Sequence, residues 1–124
     1  MNARTILYVE DNEFNRKIVR QLLTHTTYRL VEAVDGEAGV AMALAERPDL
    51  ILMDVQLPKM SGLDATRALR ADARTKEIPI IVITSFALSG DREKAAEAGA
   101  TRYLAKPYSP RELLALVREI LPES

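Results

Sequence analysis

Short apolar runs and stretches of helical spacing alternate five times along this chain of 124 residues. No other feature limits the fold so strongly. Strands separated by helices cannot pair as hairpins, so they run parallel under helices on both faces. The runs are 6–9 (ILYV), 29–34 (RLVEAV), 50–53 (LILM), 80–84 (IIVIT) and 102–104 (RYL). The second is the least apolar and is expected near an edge.

The helical segments carry their own signals. Segment 13–25 places Phe14, Ile18, Val19, Leu22 and Leu23 at helical spacing. Segment 36–46 opens after Asp35 as N-cap. Segment 63–71 is short, and 90–98 is expected to be capped by Ser89 and stopped by Gly99. In the last helix Ser109 and Glu112 form a capping box, with Pro110 at the first helical position. Right-handed crossovers then give an α/β, doubly wound, open five-stranded parallel sheet. With no repeat or linker, one domain over 1–124 is expected.

Composition removes several chemistries. There is no cysteine, hence no disulfide, thiolate metal site or thiol nucleophile. A formal net charge of −1 gives no drive toward nucleic acid or an anionic membrane. The first apolar run meets Glu10 and Asp11 before it reaches the length of a signal peptide, and no run approaches a membrane span. The cytoplasm is the expected setting.

Open parallel sheets bind ligands outside the carboxyl ends of their strands. Glu10 and Asp11 stand at the first of those ends, Asp54 at the third, Thr84 and Ser85 at the fourth, and Lys106 with Pro107 just past the fifth. Neighbouring strands lie about 4.8 Å apart, so these groups can share one pocket. Like charges 4 Å apart repel by about 4 kcal/mol at an effective dielectric of 20. A hard divalent cation, Mg²⁺, is the natural remedy, because it takes oxygen ligands and works with one or two carboxylates plus a phosphate. An acid closing the run LILM has few structural uses, and carboxylates form aspartyl-phosphates. Asp54 is thus the candidate nucleophile, Lys106 a point charge for phosphoryl oxygens, and Thr84 a hydroxyl donor to them. Taken singly, Asp11 with Asn12 reads equally well as a helix cap, while Thr84, Lys106 and Tyr103 read as packing or surface residues. It is their joint placement at four strand ends that favours chemistry.

The stretches VEDN (9–12), LILMDVQLPKMSG (50–62), IVITS (81–85) and YLAKP (103–107) resemble, in order and spacing, the response regulator receiver family. The likeness runs over essentially the whole chain and is nearest to single-domain regulators and hybrid-kinase receivers. It implies the strand order 2-1-3-4-5. It also implies phosphoryl acceptance on Asp54 from a phosphohistidine of a histidine kinase or phosphotransfer protein. Asp11, Asp54 and the Gln56 backbone carbonyl would ligate Mg²⁺, with Glu10 acting through water. Lys106 would precede a cis bond to Pro107, and Thr84 and Tyr103 would be the switch pair. Gln56 and Phe86, two past Asp54 and two past Thr84, would tune the lifetime of the phosphoryl group. Departures from the family pattern are small: the acidic pair is Glu-Asp, and Ser85 stands where a small residue is usual.

Partner contacts are expected at Phe14, Ile18, Tyr103 and Tyr108. The apolar arc of the first helix is wider than docking on a sheet needs, which suits a partner helix; a single exposed Phe14 is the equal alternative. Expected partners are the phosphodonor and a downstream protein effector, with no nucleic acid, no membrane and no output domain. The expected state is a monomer or a phosphorylation-dependent dimer. A turnover enzyme is not expected: phosphohydrolases of the haloacid dehalogenase type need a second acid two after the nucleophile, and here that residue is Gln56. A dinucleotide module would need a glycine-rich turn where VEDNEF stands. A receiver that binds partners without phosphorylation is disfavoured, because all the key groups are present.

Overall fold

Two strands in the middle of the sheet are buried along their whole length, and this orders everything else. In the computed structural model β3 (Leu50–Asp54) and β4 (Ile80–Thr84) have no exposed residue. β1 (Thr5–Val9) is nearly as enclosed, whereas β2 (Arg29–Ala33) and β5 (Arg102–Ala105) are half-open. The parallel sheet has the order β2-β1-β3-β4-β5, so the two open strands are its edges. The structure describes residues 3–85 and 91–123.

Alternation along each strand divides the core in two. Ile6, Tyr8, Leu50, Leu52, Ile81 and Ile83 face α1 (Glu13–Thr24) and α5 (Pro110–Ile120), meeting Val19, Leu23, Leu113 and Val117. Leu7, Val9, Ile51, Met53, Ile80 and Val82 face the other side. There they meet α2 (Gly36–Glu46), α3 (Gly62–Ala71) and α4 (Asp91–Ala98) through Ala43, Leu69 and Ala95. A fully buried leucine such as Leu69 contributes about 2 kcal/mol.

Helix starts follow side-chain caps. Asn12, rather than Asp11, caps α1 by accepting from Asn15 N–H. Asp35, Ser61 and Ser109 cap α2, α3 and α5, and the capping box of α5 is complete. His25 closes α1 as its C-cap. Small differences from the sequence expectation fall at element ends. β3 extends to Asp54, and α3 begins at Gly62 because Ser61 supplies the cap. β5 reaches Ala105, because the Lys106 N–H still bonds to Thr84 O at 2.7 Å. Gly99, at φ 106°, follows α4. The expected cap Ser89, Gly90 and the tuning residue Phe86 lie outside the described residues.

Candidate functional site

The register aligns the carboxyl ends of the strands. Val9 pairs with both Ala33 and Met53, Asp54 with Ile83, and Thr84 with Ala105. The next residue on each strand therefore opens onto one edge of the sheet. Glu10 and Asp54 are both only 2% exposed, each two residues beyond a core residue of the α1/α5 face, Tyr8 and Leu52.

Lys106 brings the site together. Its ammonium donates to Asp54 Oδ2 at 2.6 Å and to Glu10 Oε1 at 3.3 Å. Asp54 Oδ1 accepts the Gln56 N–H at 2.8 Å, so both oxygens of the candidate nucleophile are held. Glu10 also accepts from Tyr8 Oη and Asn15 Nδ2, each at 3.3 Å, and from the Asn12 N–H at 3.1 Å. Arg16 Nη1 donates to the Glu10 carbonyl at 2.8 Å and fixes the end of β1 from α1. The Lys106–Pro107 peptide is cis.

Charge is not balanced here. Burial works to lower the Lys106 ammonium, but its hydrogen bond to Asp54 and the charges of Asp54 and Glu10 outweigh it and hold the group above the ordinary lysine value. Asp11 is exposed, on the outer side of the pocket. Lost hydration on its inner side, then the hydrogen bond and charge of Glu10, push its carboxyl above the usual aspartate value. Burial, the neighbouring Tyr108 and the Glu10 charge likewise push the Tyr8 phenol up.

The remaining residues divide by location. Thr84 is 2% exposed and continues the face of Val82, opposite to that of Asp54. Tyr103 packs on that same far side, with the Arg92 guanidinium carbon 5.4 Å from its ring centroid. Gln56 is exposed and accepts from the Ser85 hydroxyl, a bridge over the pocket mouth. Phe14 is 69% exposed and Ile18 39%. Ile18 and Tyr108 line a cleft of about 510 Å³ between α1 and the start of α5, together with Leu22, Lys106, Pro107 and Leu113. Sequence reasoning missed Tyr8, Asn15 and Arg16. Tyr8 had a readable signal: it lies two residues before Glu10 on a strand, and so on the same face.

The family description "Response regulator receiver domain" matches residues 6–118. The protein belongs to the response regulator receiver family. This receiver is of the kind used in two-component signalling, and it is 36% identical over 121 residues to the polar-differentiation response regulator DivK of Brucella anthropi, with 98% of each chain covered. Its fold superposes with a TM-score of 0.87 on the receiver domain of a sensor histidine kinase from Pseudomonas aeruginosa PAO1. That domain is 40% identical, with 94% of this chain and 96% of that one covered, and its structure holds a magnesium ion in the active-site cleft. Chemotaxis protein CheY4 of Vibrio cholerae superposes with a TM-score of 0.89 at 30% identity, over 95% and 98% of the two chains. Among the described residues no helix of this receiver is long and apolar enough to cross a membrane.

The donor set of the receiver suits a hard cation. Its groups are carboxylate oxygens, and lost hydration together with the hydrogen bond and charge of Glu10 raises the Asp11 carboxyl despite Lys106. Among the described residues no three acidic or histidine side chains already surround one point. The expected shared pocket is thus only partly assembled, because Lys106 stands between Glu10 and Asp54. This suits Mg²⁺, which keeps several waters and asks for few protein oxygens.

Proposed function

We propose that this receiver is a phosphorylation-operated switch of the cytoplasm, loaded on Asp54 by a phosphohistidine of a histidine kinase or phosphotransfer protein. One observation carries the reading. A carboxylate closing the most central strand is buried, held by the Gln56 amide on one oxygen and by an ammonium at 2.6 Å on the other. Such a group has little structural purpose and every feature of a positioned nucleophile.

An Asp54 oxygen forms a bond to phosphorus while the phosphorus–nitrogen bond of the donor breaks, and the imidazole leaves with that electron pair. Mg²⁺, when bound, neutralises charge on the phosphoryl oxygens; Asp11, Asp54 and the Gln56 carbonyl would hold it, with Glu10 through water. Phosphorylation removes the carboxylate charge of Asp54, so the Lys106 ammonium transfers its pairing to a phosphoryl oxygen. Thr84 supplies a hydroxyl hydrogen bond to the same group, and Tyr103 responds on the far face, biasing a two-state equilibrium. The output is binding of a downstream protein. The protein is a phosphoacceptor rather than a turnover enzyme. The α1 surface with Phe14 and Ile18, and the cleft reaching Tyr108, receive the donor's helices.

Incubation with a small phosphodonor and Mg²⁺, followed by intact mass and site mapping, tests this. One phosphoryl group on Asp54, absent from Asp54→Asn and without Mg²⁺, is expected. No adduct, or an adduct elsewhere, overturns the reading. Steady turnover of a simple phosphomonoester would instead favour an enzyme.

A further inference from the structure

Beneath the acid pocket lies a polar group that the phosphoryl chemistry does not use. Tyr8 is fully buried in β1, and its ring lies in the core cluster with Ile6, Val19, Leu23, Leu50 and Leu52. Aliphatic packing of this kind needs no hydroxyl, and phenylalanine would fill almost the same volume. Yet the Tyr8 hydroxyl donates to Glu10 Oε1 at 3.3 Å. An ionised carboxylate only accepts, so the Tyr8 proton points to Glu10.

The other side chains on Glu10 Oε1 are Lys106 and Asn15, both only partly buried. Lys106 is also shared with Asp54, and its stem is flexible. Of the three donors, Tyr8 alone is locked by core packing on every side. It keeps its grip when Lys106 turns elsewhere. Partners behind a metal ligand orient that ligand and tune its affinity.

We propose that Tyr8 is a positioning residue whose hydroxyl holds the Glu10 carboxylate in the orientation that receives a water of bound Mg²⁺. The inference rests on the reading of the acid pocket as a cation site.

Calorimetric titration with Mg²⁺, without phosphodonor, tests it on the whole chain. Tyr8→Phe removes one oxygen and keeps the ring. It is expected to weaken Mg²⁺ binding about ten-fold and to leave the metal-free melting temperature nearly unchanged. In a Glu10→Gln background the same change is expected to have no further effect. Unaltered affinity in folded Tyr8→Phe, or an equal loss with and without Glu10, overturns the inference while leaving the cation site standing. Absence of Mg²⁺ binding by the wild-type protein overturns the site itself, and the inference with it. A second measurement needs no variant. With ¹³C at the tyrosine ζ carbon, the Tyr8 signal is expected to move on Mg²⁺ addition. Tyr28, whose hydroxyl donates to the Leu121 carbonyl, is the fixed control. A stationary Tyr8 signal in Mg²⁺-bound protein also overturns the proposal.

Discussion

Lys106 and Asp54, 52 positions apart in sequence, meet at 2.6 Å, and the same ammonium reaches Glu10 at 3.3 Å. One cation therefore serves two buried carboxylates. Its folded-state value lies above the ordinary 10.5, so its stabilisation is fully present below 10.5 and is lost as pH rises through the folded value. Lys106→Met keeps the stem and removes the charge. It is expected to cost about 2 kcal/mol at neutral pH, less than a fully enclosed pair because the lysine is partly hydrated. Urea unfolding of both proteins across pH checks this: the gap should narrow as pH rises past 10.5. A gap independent of pH would mean that packing, not charge, is what Lys106 provides.

Asp11 behaves in the opposite sense. Its folded carboxyl is raised above the ordinary 3.8, so stability falls as pH rises from 3.8 through the folded value, and a penalty remains at neutrality. Asp11→Asn should stabilise the metal-free protein at pH 7 by less than about 1 kcal/mol, since the group is exposed and screened. The gain should vanish below pH 3.8, where both states are protonated. Mg²⁺ at a hundred times its dissociation constant should stabilise the wild type by about 2.7 kcal/mol. The variant should show much less of this increment. Thermal melts with and without Mg²⁺ decide the point, and equal increments in the two proteins would remove Asp11 from the cation site.

Phe14 is a probe of the donor surface. Being 69% exposed, it contributes little to the core, and Phe14→Ala should leave stability within about 0.5 kcal/mol. Phosphorylation by a small donor should be unchanged, while transfer from the cognate kinase should slow several-fold. Equal kinase-dependent rates would show that Phe14 is only an exposed hydrophobe.

Gly62 guards the geometry of the proposed phosphoacceptor, Asp54, from behind. A Cβ there would sit 1.9 Å from the Asp54 carbonyl oxygen, which is backbone and has no rotamer with which to escape. Gly62→Ala should therefore cost at least about 1–3 kcal/mol. It should also slow phosphorylation by a small donor, because the strand end carrying Asp54 must move. Denaturation and phosphorylation rates measured together test this, and a silent substitution would mean that α3 shifts freely.

Much of this arrangement is legible in the chain itself. LILM followed by Asp54 announces a buried strand closing on an acid, and SPRE spells out the cap of α5. What is not legible follows from physics that one-dimensional patterns omit. Glu10 and Asp11 look equivalent in sequence, but strand alternation buries the first and leaves the second exposed. Tyr8 reads as core because its ring is core; only the position of its hydroxyl gives it a second role. α2 ends on Arg47 in a left-handed conformation, at φ 47°, where glycine is the usual signal, so its end is marked in sequence only by Pro48. Arg70 clamps the Gly99 and Ile78 carbonyls from α3, a long-range contact that no local spacing announces.

The two halves of the core leave the acids hanging from one side of the sheet and Thr84 with Tyr103 from the other. A message between them would run along the rim of the strands, where both sets stand, rather than through the packed aliphatic middle of the sheet. The scaffold can then stay rigid while its upper lip rearranges. In the proposed switch, a stiff platform with a movable crest would let so small a chain change its surface without loosening its interior.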